Sequence, residues 1–183
     1  FDFAWQLAPN AAFETPEVVI AYSAEGIGGM SRAFHDAFRD HLINHRFAHT
    51  PRPLLINNWE GTYFNFDNQK LMDIVDAVQG TGIDTFVLDD GWFGNRNSDR
   101  TGLGDWVVNE KKMEGGLRPV IDHVHAKGMK FGLWFEPEMI SEDSDLYRTH
   151  PDYAIAAPNR ANCHGRHQLM LDLTRADVRD YIV

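Results

Sequence analysis

The chain has almost no cysteine: Cys163 stands alone among 183 residues. One thiol cannot close an intrachain disulfide and leaves no Cys-based zinc motif to consider. Long hydrophobic runs are missing as well. None approaches the roughly 20 apolar residues that a membrane-spanning helix needs. Positive charge is scarce, with 17 Lys and Arg against 27 Asp and Glu, for a formal charge of −10. That balance argues against nucleic acid or an anionic membrane surface as a partner and suits a neutral or cationic ligand. A glycine-rich phosphate fingerprint is absent too. After the first strand of the β-α part stands Asn58-Trp59-Glu60-Gly61, nothing like G-x-G-x-x-G, which weighs against dinucleotide binding. The opening Phe1-Asp2-Phe3-Ala4-Trp5 carries no start Met, basic stretch or cleavage site and reads as the middle of a strand. Arg175 to Val183 reads as a helix cut off in progress, so the sequence is expected to be an excerpt of a longer protein.

What is present is a core-forming composition, 43% hydrophobic and 12% aromatic. In residues 1 to 25, short apolar stretches such as Val18-Val19-Ile20-Ala21-Tyr22 between Pro-containing breaks predict strands and turns. Gly26-Ile27-Gly28-Gly29 reads as a turn. Met30, Phe34, Ala37, Phe38, His41 and Leu42 then recur at helical spacing, with Ser31 available as a cap. The basic residues between His41 and His49 fall on different helix faces and read as a solvated tail. Pro51-Arg52-Pro53 marks a domain boundary.

From Leu54 the rhythm is strand, helix, strand. Strands are predicted at Leu54–Trp59, from Ile83, at Met129–Phe135 and at Gln168–Leu173. Helices are predicted around Leu71–Val78, over Leu117–Lys127, near Ser141–Thr149 and from Asp177. The connection from Gly91 to Gly116 is long for a compact unit and is expected to be functional. Alternation of this kind implies an α/β fold with a parallel sheet. Acids and aromatics at successive strand tops fit a (β/α)8 barrel, which needs about 250 residues, so only its first portion would fit after Pro53.

The chain is organised around Ile83-Asp84-Thr85-Phe86-Val87-Leu88-Asp89-Asp90-Gly91-Trp92-Phe93-Gly94. An apolar run ends in two adjacent carboxylates, a glycine and two aromatics, as strand-top sites in α/β proteins do. Trp59, Asp89 with Asp90, Trp134 with Glu136, and Arg166 follow at the other strand ends. Carboxylates accept hydrogen bonds from hydroxyls and indole faces cover the C–H patches of a sugar ring, so a polyol ligand fits this lining better than a phosphate. Glu136 and Glu138, alternate residues of an extended segment, form a conceivable carboxylate pair, although Pro137 between them favours a structural role.

Asn58-Trp59-Glu60, Leu88-Asp89-Asp90-Gly91-Trp92-Phe93-Gly94, Leu103-Gly104-Asp105-Trp106, Phe131-Gly132-Leu133-Trp134-Phe135-Glu136-Pro137-Glu138-Met139 and Gln168-Leu169-Met170-Leu171-Asp172-Leu173-Thr174-Arg175 resemble the bacterial α-galactosidases of glycoside hydrolase family 36. The resemblance runs from about residue 52 to residue 183. It implies an N-terminal β-sandwich, whose end and linker helix would be residues 1–50, and a (β/α)8 catalytic barrel, of which residues 51–183 would be the first part. A C-terminal β-domain would follow. By the same resemblance, Asp89 and Asp90 hold the 4- and 6-hydroxyls of a terminal galactose. Trp59 and Trp134 wall the pocket, and Arg166 bonds to a hydroxyl or steadies the nucleophile. The family's nucleophile, in a Lys-Trp-Asp motif, and its acid/base are absent from these residues, so no catalytic carboxylate is assigned here. The substrates implied are oligosaccharides such as melibiose and raffinose, with no metal or cofactor. A bacterial cytoplasmic homo-oligomer, a tetramer in the family, is also implied. A raffinose-synthase-like galactosyl transferase, an α-N-acetylgalactosaminidase, a non-catalytic galactose-binding protein and a metal-dependent phosphoryl-transfer site at Asp89-Asp90 are the competing assignments.

Overall fold

A computed structural model describes residues 5–183, so the strand predicted at Phe1–Trp5 falls almost wholly outside the described residues. The chain divides between Arg52 and Pro53 into two units. In the first unit the predicted Val18–Tyr22 strand is not formed. Among the described residues up to Arg52 no strand occurs, and Ile20 and Tyr22 are 89% and 92% exposed. A strand needs a ladder partner for its N–H and C=O groups, and none lies among the described residues of this unit. Helix α1 spans Gly26–Ala37 and passes into a π-helical turn at Phe38–Leu42. It therefore begins before Ser31, with the predicted glycine turn wound into its first turn. A short α2, His45–Ala48, is capped by the Asn44 side chain, which accepts from the Arg46 N–H at 3.0 Å.

The second unit is an α/β layer. Strands β1 (Leu55–Asn57), β2 (Thr85–Leu88) and β3 (Lys130–Leu133) run parallel in the order β1-β2-β3, with Ile56 opposite Phe86 and Phe86 opposite Phe131. Between β1 and β2 lie α3 (Trp59–Thr62) and α4 (Asn68–Val78). Between β2 and β3 lies α5 (Arg118–Ala126). Each boundary has a local cause. Asp67 caps α4 by accepting from the Lys70 N–H at 2.8 Å. Pro119 opens α5, and Gly128, at φ +74°, closes it in a conformation other residues avoid. Leu71 and Val75 of α4 and Val120 and Val124 of α5 bury against Phe86 and Leu88 of β2, every one of them without solvent exposure. At about 1.5–3 kcal/mol for each fully buried aliphatic side chain, this face is the main stabilising surface of the unit.

The remaining chain forms a smaller cluster. Strands β4 (Met139–Ile140) and β5 (Leu169–Met170) pair antiparallel. They pack with α6 (Asp145–Thr149), a 3-10 turn at Pro151–Tyr153 and α7 (Ala176–Ile182) around buried Ile140, Leu146, Leu169, Leu171 and Val178. The predicted strand at Gln168–Leu173 shortens to β5, because Asp172 turns the chain by accepting from the Thr174 N–H at 3.1 Å. The long connection after β2 is ordered by its own core, with Phe93, Arg96, Leu103 and Met113 fully buried. No helix among the described residues is long and apolar enough to cross a membrane.

Candidate functional site

Parallel pairing puts the C-terminal ends of β1, β2 and β3 side by side, about 4.8 Å apart from strand to strand. Trp59, Asp89 with Asp90, and Trp134 each follow one of these ends, so strand order alone makes a Trp–Asp–Trp sequence along one edge. Two asparagines lock the edge. Asn57 accepts from the Trp59 N–H at 2.7 Å, which turns the chain into α3, and donates from its amide to Asp89 Oδ2. Asn58, 1% exposed, accepts from the Asp89 N–H at 2.8 Å and donates to Thr62 Oγ1 at 2.8 Å. Asp89 Oδ1 accepts from the Asp90 N–H at 2.7 Å. Half-buried Asp89 is thus oriented by neutral amides alone and has no ion pair among the described residues. An ionised carboxylate offers about four lone-pair sites, so acceptor capacity remains.

Asp90 has different surroundings. Its carboxylate is 5% exposed and Arg96, whose guanidinium is fully buried, grips both oxygens. Arg96 Nε lies 2.9 Å from Oδ1, and Nη2 lies 2.7 Å from Oδ2. Arg96 Nη1 also donates to the Thr101 carbonyl at 3.0 Å, and the guanidinium carbon sits 5.6 Å from the centre of the Phe64 ring. This clamp folds the loop back on the strand end, and it demands glycine at 102: a Cβ there would stand 2.8 Å from the Arg96 backbone nitrogen, at φ +79°. Lys112 donates to the Gly91 carbonyl at 2.8 Å with its ammonium 4.6 Å from the centre of the Phe66 ring. Burial pushes the Lys112 pKa down, against the opposing pull of the Asp90 charge.

Beyond β3 stands an aromatic wall. Trp92 donates from its indole to the Trp134 carbonyl at 3.1 Å, and the Phe93 and Trp134 rings stack 6.4 Å apart. Trp106 arrives on the long loop, 4.3 Å from Phe93 and 6.4 Å from Trp134 between ring centres. Its neighbour Asp105 anchors it, accepting from the Asp145 and Leu146 N–H groups, each at 2.9 Å, at the start of α6. On the β1 side, Trp59 is met edge-on by Tyr63 and Phe64, at 5.2 and 5.0 Å.

Arg166 occupies a separate element. Gly165 and Gln168 exchange two backbone hydrogen bonds of 3.0 Å, so Arg166 and His167, at φ +51° and +64°, form the tip of a two-residue hairpin and are exposed. The hairpin's tie to the strand tops is Gln168, 2% exposed, which donates its amide to Glu136 Oε1. Glu138, the other member of the conceivable acid pair, is exposed, and its carbonyl accepts from the Leu171 N–H at 2.8 Å. His164 pairs with Glu142 at 3.1 Å, and Cys163 is exposed. The structure therefore unites Asp89 with the Trp59 and Trp134 ends of neighbouring strands, seals Asp90 with Arg96, and sets Arg166 on a hairpin without direct contact to the acids. Sequence reasoning missed Asn57, Arg96 and Gln168. Two consecutive asparagines at the end of an apolar strand were a readable signal, whereas a loop arginine six residues after Asp90 was not.

The fold is a parallel α/β layer whose neighbouring strand ends are followed by Trp59, by Asp89 with Asp90, and by Trp134. Comparison with known proteins gives the family. The melibiase family model matches residues 12–183, and the chain belongs to that family. It is 50% identical over 183 residues to alpha-galactosidase AgaA of Geobacillus stearothermophilus and 50% identical over 182 residues to alpha-galactosidase Mel36A of Lactobacillus acidophilus. Each match covers 100% of this chain but 25% of the relative, so the chain spans about a quarter of the curated relatives it matches. The crystal structure of the GH36 alpha-galactosidase AgaB from Geobacillus stearothermophilus superimposes with a TM-score of 0.83 at 51% identity, covering 88% of this chain and 22% of that one. A variant of AgaA crystallised in complex with stachyose superimposes with a TM-score of 0.83 at 49% identity, over 88% of this chain and 22% of that one.

Proposed function

We propose that this chain supplies the galactose-recognising portion of a retaining α-galactosidase that acts on terminal α-galactosyl groups of oligosaccharides such as melibiose and raffinose. The observation that carries the reading is Asp89, a carboxylate aligned by the Asn57 amide and the Asp90 N–H, free of any cation among the described residues, between the strand ends bearing Trp59 and Trp134. Such a group accepts from a hydroxyl without first breaking an ion pair. In this reading Asp89 and Asp90 hold the 4- and 6-hydroxyls with unequal shares. Asp89 is the principal acceptor, and Asp90, with both oxygens already engaged by Arg96, accepts along what capacity remains. Trp59 and Trp134 wall the ring and Arg166 reaches a hydroxyl from its hairpin. An equatorial 4-hydroxyl would leave the acceptor unmatched, a penalty of about 1–3 kcal/mol against glucosides.

Hydrolysis with retention needs a nucleophile and an acid/base, roughly 5–5.5 Å apart. Both are assigned to residues beyond Val183, on strands that would continue β1–β3 into a closed (β/α)8 barrel. Residues 1–50 would end a β-sandwich with its linker helix, in a bacterial cytoplasmic tetramer. The chemistry needs no metal or cofactor. The test is Asp89→Asn in the complete protein, assayed with p-nitrophenyl α-galactoside and raffinose. A loss of at least ~100-fold in kcat/KM with unchanged folding is expected, and unchanged kinetics would remove Asp89 from the pocket. The 183-residue chain alone is expected to release no p-nitrophenol.

A further inference from the structure

The contact between Gln168 and Glu136 joins two segments that share no ladder at that point: the hairpin carrying Arg166 and the loop that leaves β3 just after Trp134. Both partners hold an oxygen that is buried and makes no hydrogen bond among the described residues, Glu136 Oε2 and Gln168 Oε1. A half-buried carboxyl group and a buried amide that each keep one buried, unmatched oxygen make a poor stabilising element; an apolar pair of similar size would serve stability better. What the pair does supply is direction. A carboxylate–amide bond fixes its two partners in distance and angle, which an apolar contact does not. The stem of the hairpin is fixed on both sides, by Met139 opposite Met170, Ile140 opposite Leu169 and the Leu171 N–H to the Glu138 carbonyl on one side, and by the Ile155 N–H to the Met170 carbonyl and the Asp172 N–H to the Tyr153 carbonyl on the other. The turn above it is held by the two Gly165–Gln168 backbone bonds, by the His164–Glu142 pair at its foot and by the Gln168 side chain, which alone among the described residues ties it to the segment leaving Trp134.

We propose that Glu136 and Gln168 form a latch that positions the Arg166 turn over the strand tops, so that they are positioning residues for the sugar-binding site. The latch acts through Arg166 and rests on the assignment of Arg166 to that site under Proposed function. Gln168 lies two residues from Arg166, and Glu136 lies two residues from Trp134. A displacement of about 1 Å in a positioning element is enough to lower turnover by up to ~100-fold without unfolding a protein. The bond therefore ties the one cationic candidate of the site to the indole wall.

A double-mutant cycle in the complete protein tests this. Gln168→Leu should lower kcat/KM for p-nitrophenyl α-galactoside about tenfold or more, with the melting temperature nearly unchanged. In an Arg166→Ala background the same change should cost less than about twofold, because the group it positions is gone. Glu136→Gln, which keeps a carbonyl for the Gln168 amide, should retain activity to within about threefold, where Glu136→Leu should match Gln168→Leu. Equal losses from Gln168→Leu with and without Arg166, or a loss that tracks a lowered melting temperature, would overturn the latch. So would full activity in Glu136→Leu. Unchanged kinetics in Arg166→Ala alone would instead remove Arg166 from the site, and the latch with it, while leaving the Asp89 test standing.

Discussion

The two adjacent acids should respond very differently to the same isosteric change. Asp90→Asn removes the negative partner of a guanidinium with no solvent exposure. Arg96 now makes three contacts of 2.7 to 3.1 Å to the Asp90 oxygens, and an amide can reproduce at most those to its single oxygen. Its NH2 group would face an arginine that has donors only. Breaking one side of a buried pair while the other charge stays buried costs about 3–5 kcal/mol. Asp89→Asn is milder, because the amide oxygen still accepts from the Asp90 N–H and only the hydrogen bond from the Asn57 amide to the carboxylate is lost, about 1.5–3 kcal/mol with no charge left buried and unpaired. Urea unfolding of the complete protein, followed by tryptophan fluorescence, separates the two, since Trp92, Trp106 and Trp134 report on this region. An Asp90→Leu/Arg96→Met double variant should recover most of the lost stability. Equal midpoints for the two asparagine variants, or an Arg96→Met single variant as stable as the parent, would refute the clamp.

Two further outcomes are expected. Gly102→Ala puts a Cβ 2.8 Å from the Arg96 nitrogen at a φ of +79°, so it should lower stability by about 1–3 kcal/mol or more in the same urea assay. Asp76 on α4 accepts from Lys127 at 2.7 Å and His123 at 2.9 Å, and these hydrogen bonds, that from Lys127 first, hold its pKa below the ordinary carboxylate value. Its stabilising effect is therefore present above the unfolded pKa, near ~3.9, and fades as pH falls through the lower folded value. Melting curves of Asp76→Asn against the parent should diverge at pH 6 and converge on acidification below pH ~4; a gap that stays constant over that range would contradict the linkage.

The parallel order of β1, β2 and β3 was legible from Ile56, Phe86 and Phe131, apolar residues in short runs separated by helical spacing, with Gly128 and Pro119 as punctuation. The placing of Asp89 and Trp134 directly after the ends of β2 and β3 was legible too, because it follows from where each apolar run stops. Two kinds of feature escaped. Val18–Tyr22 has strand composition, but a strand is a property of pairs, and no partner lies within the described residues of its unit. Arg96 and Gln168 act across space: the arginine is recruited by a loop whose path depends on Gly91 and Gly102, and the glutamine meets Glu136 across 32 residues of chain. Local pattern carries no information about either closure.

The same physics explains why an Asp-Asp doublet produces two unlike acids. Alternate residues of a strand point to opposite faces, and Phe86 and Leu88 point into the helix-covered core. Continuing that alternation sends Asp90 to the same side, where an unpaired carboxylate could not survive, and Arg96 meets it there. Asp89 falls on the side of half-buried Val87, where neutral amides alone orient it. Neither acid could do its task from the other's position. A carboxylate clamped by Arg96 holds the loop that brings Trp92, Phe93 and Trp106 against Trp134, while a carboxylate oriented only by amides retains lone pairs for hydroxyls. On the proposed function the doublet gives Asp90 the larger share of anchoring and Asp89 the larger share of recognition, so Asp90→Asn is expected to act first on stability and Asp89→Asn first on binding.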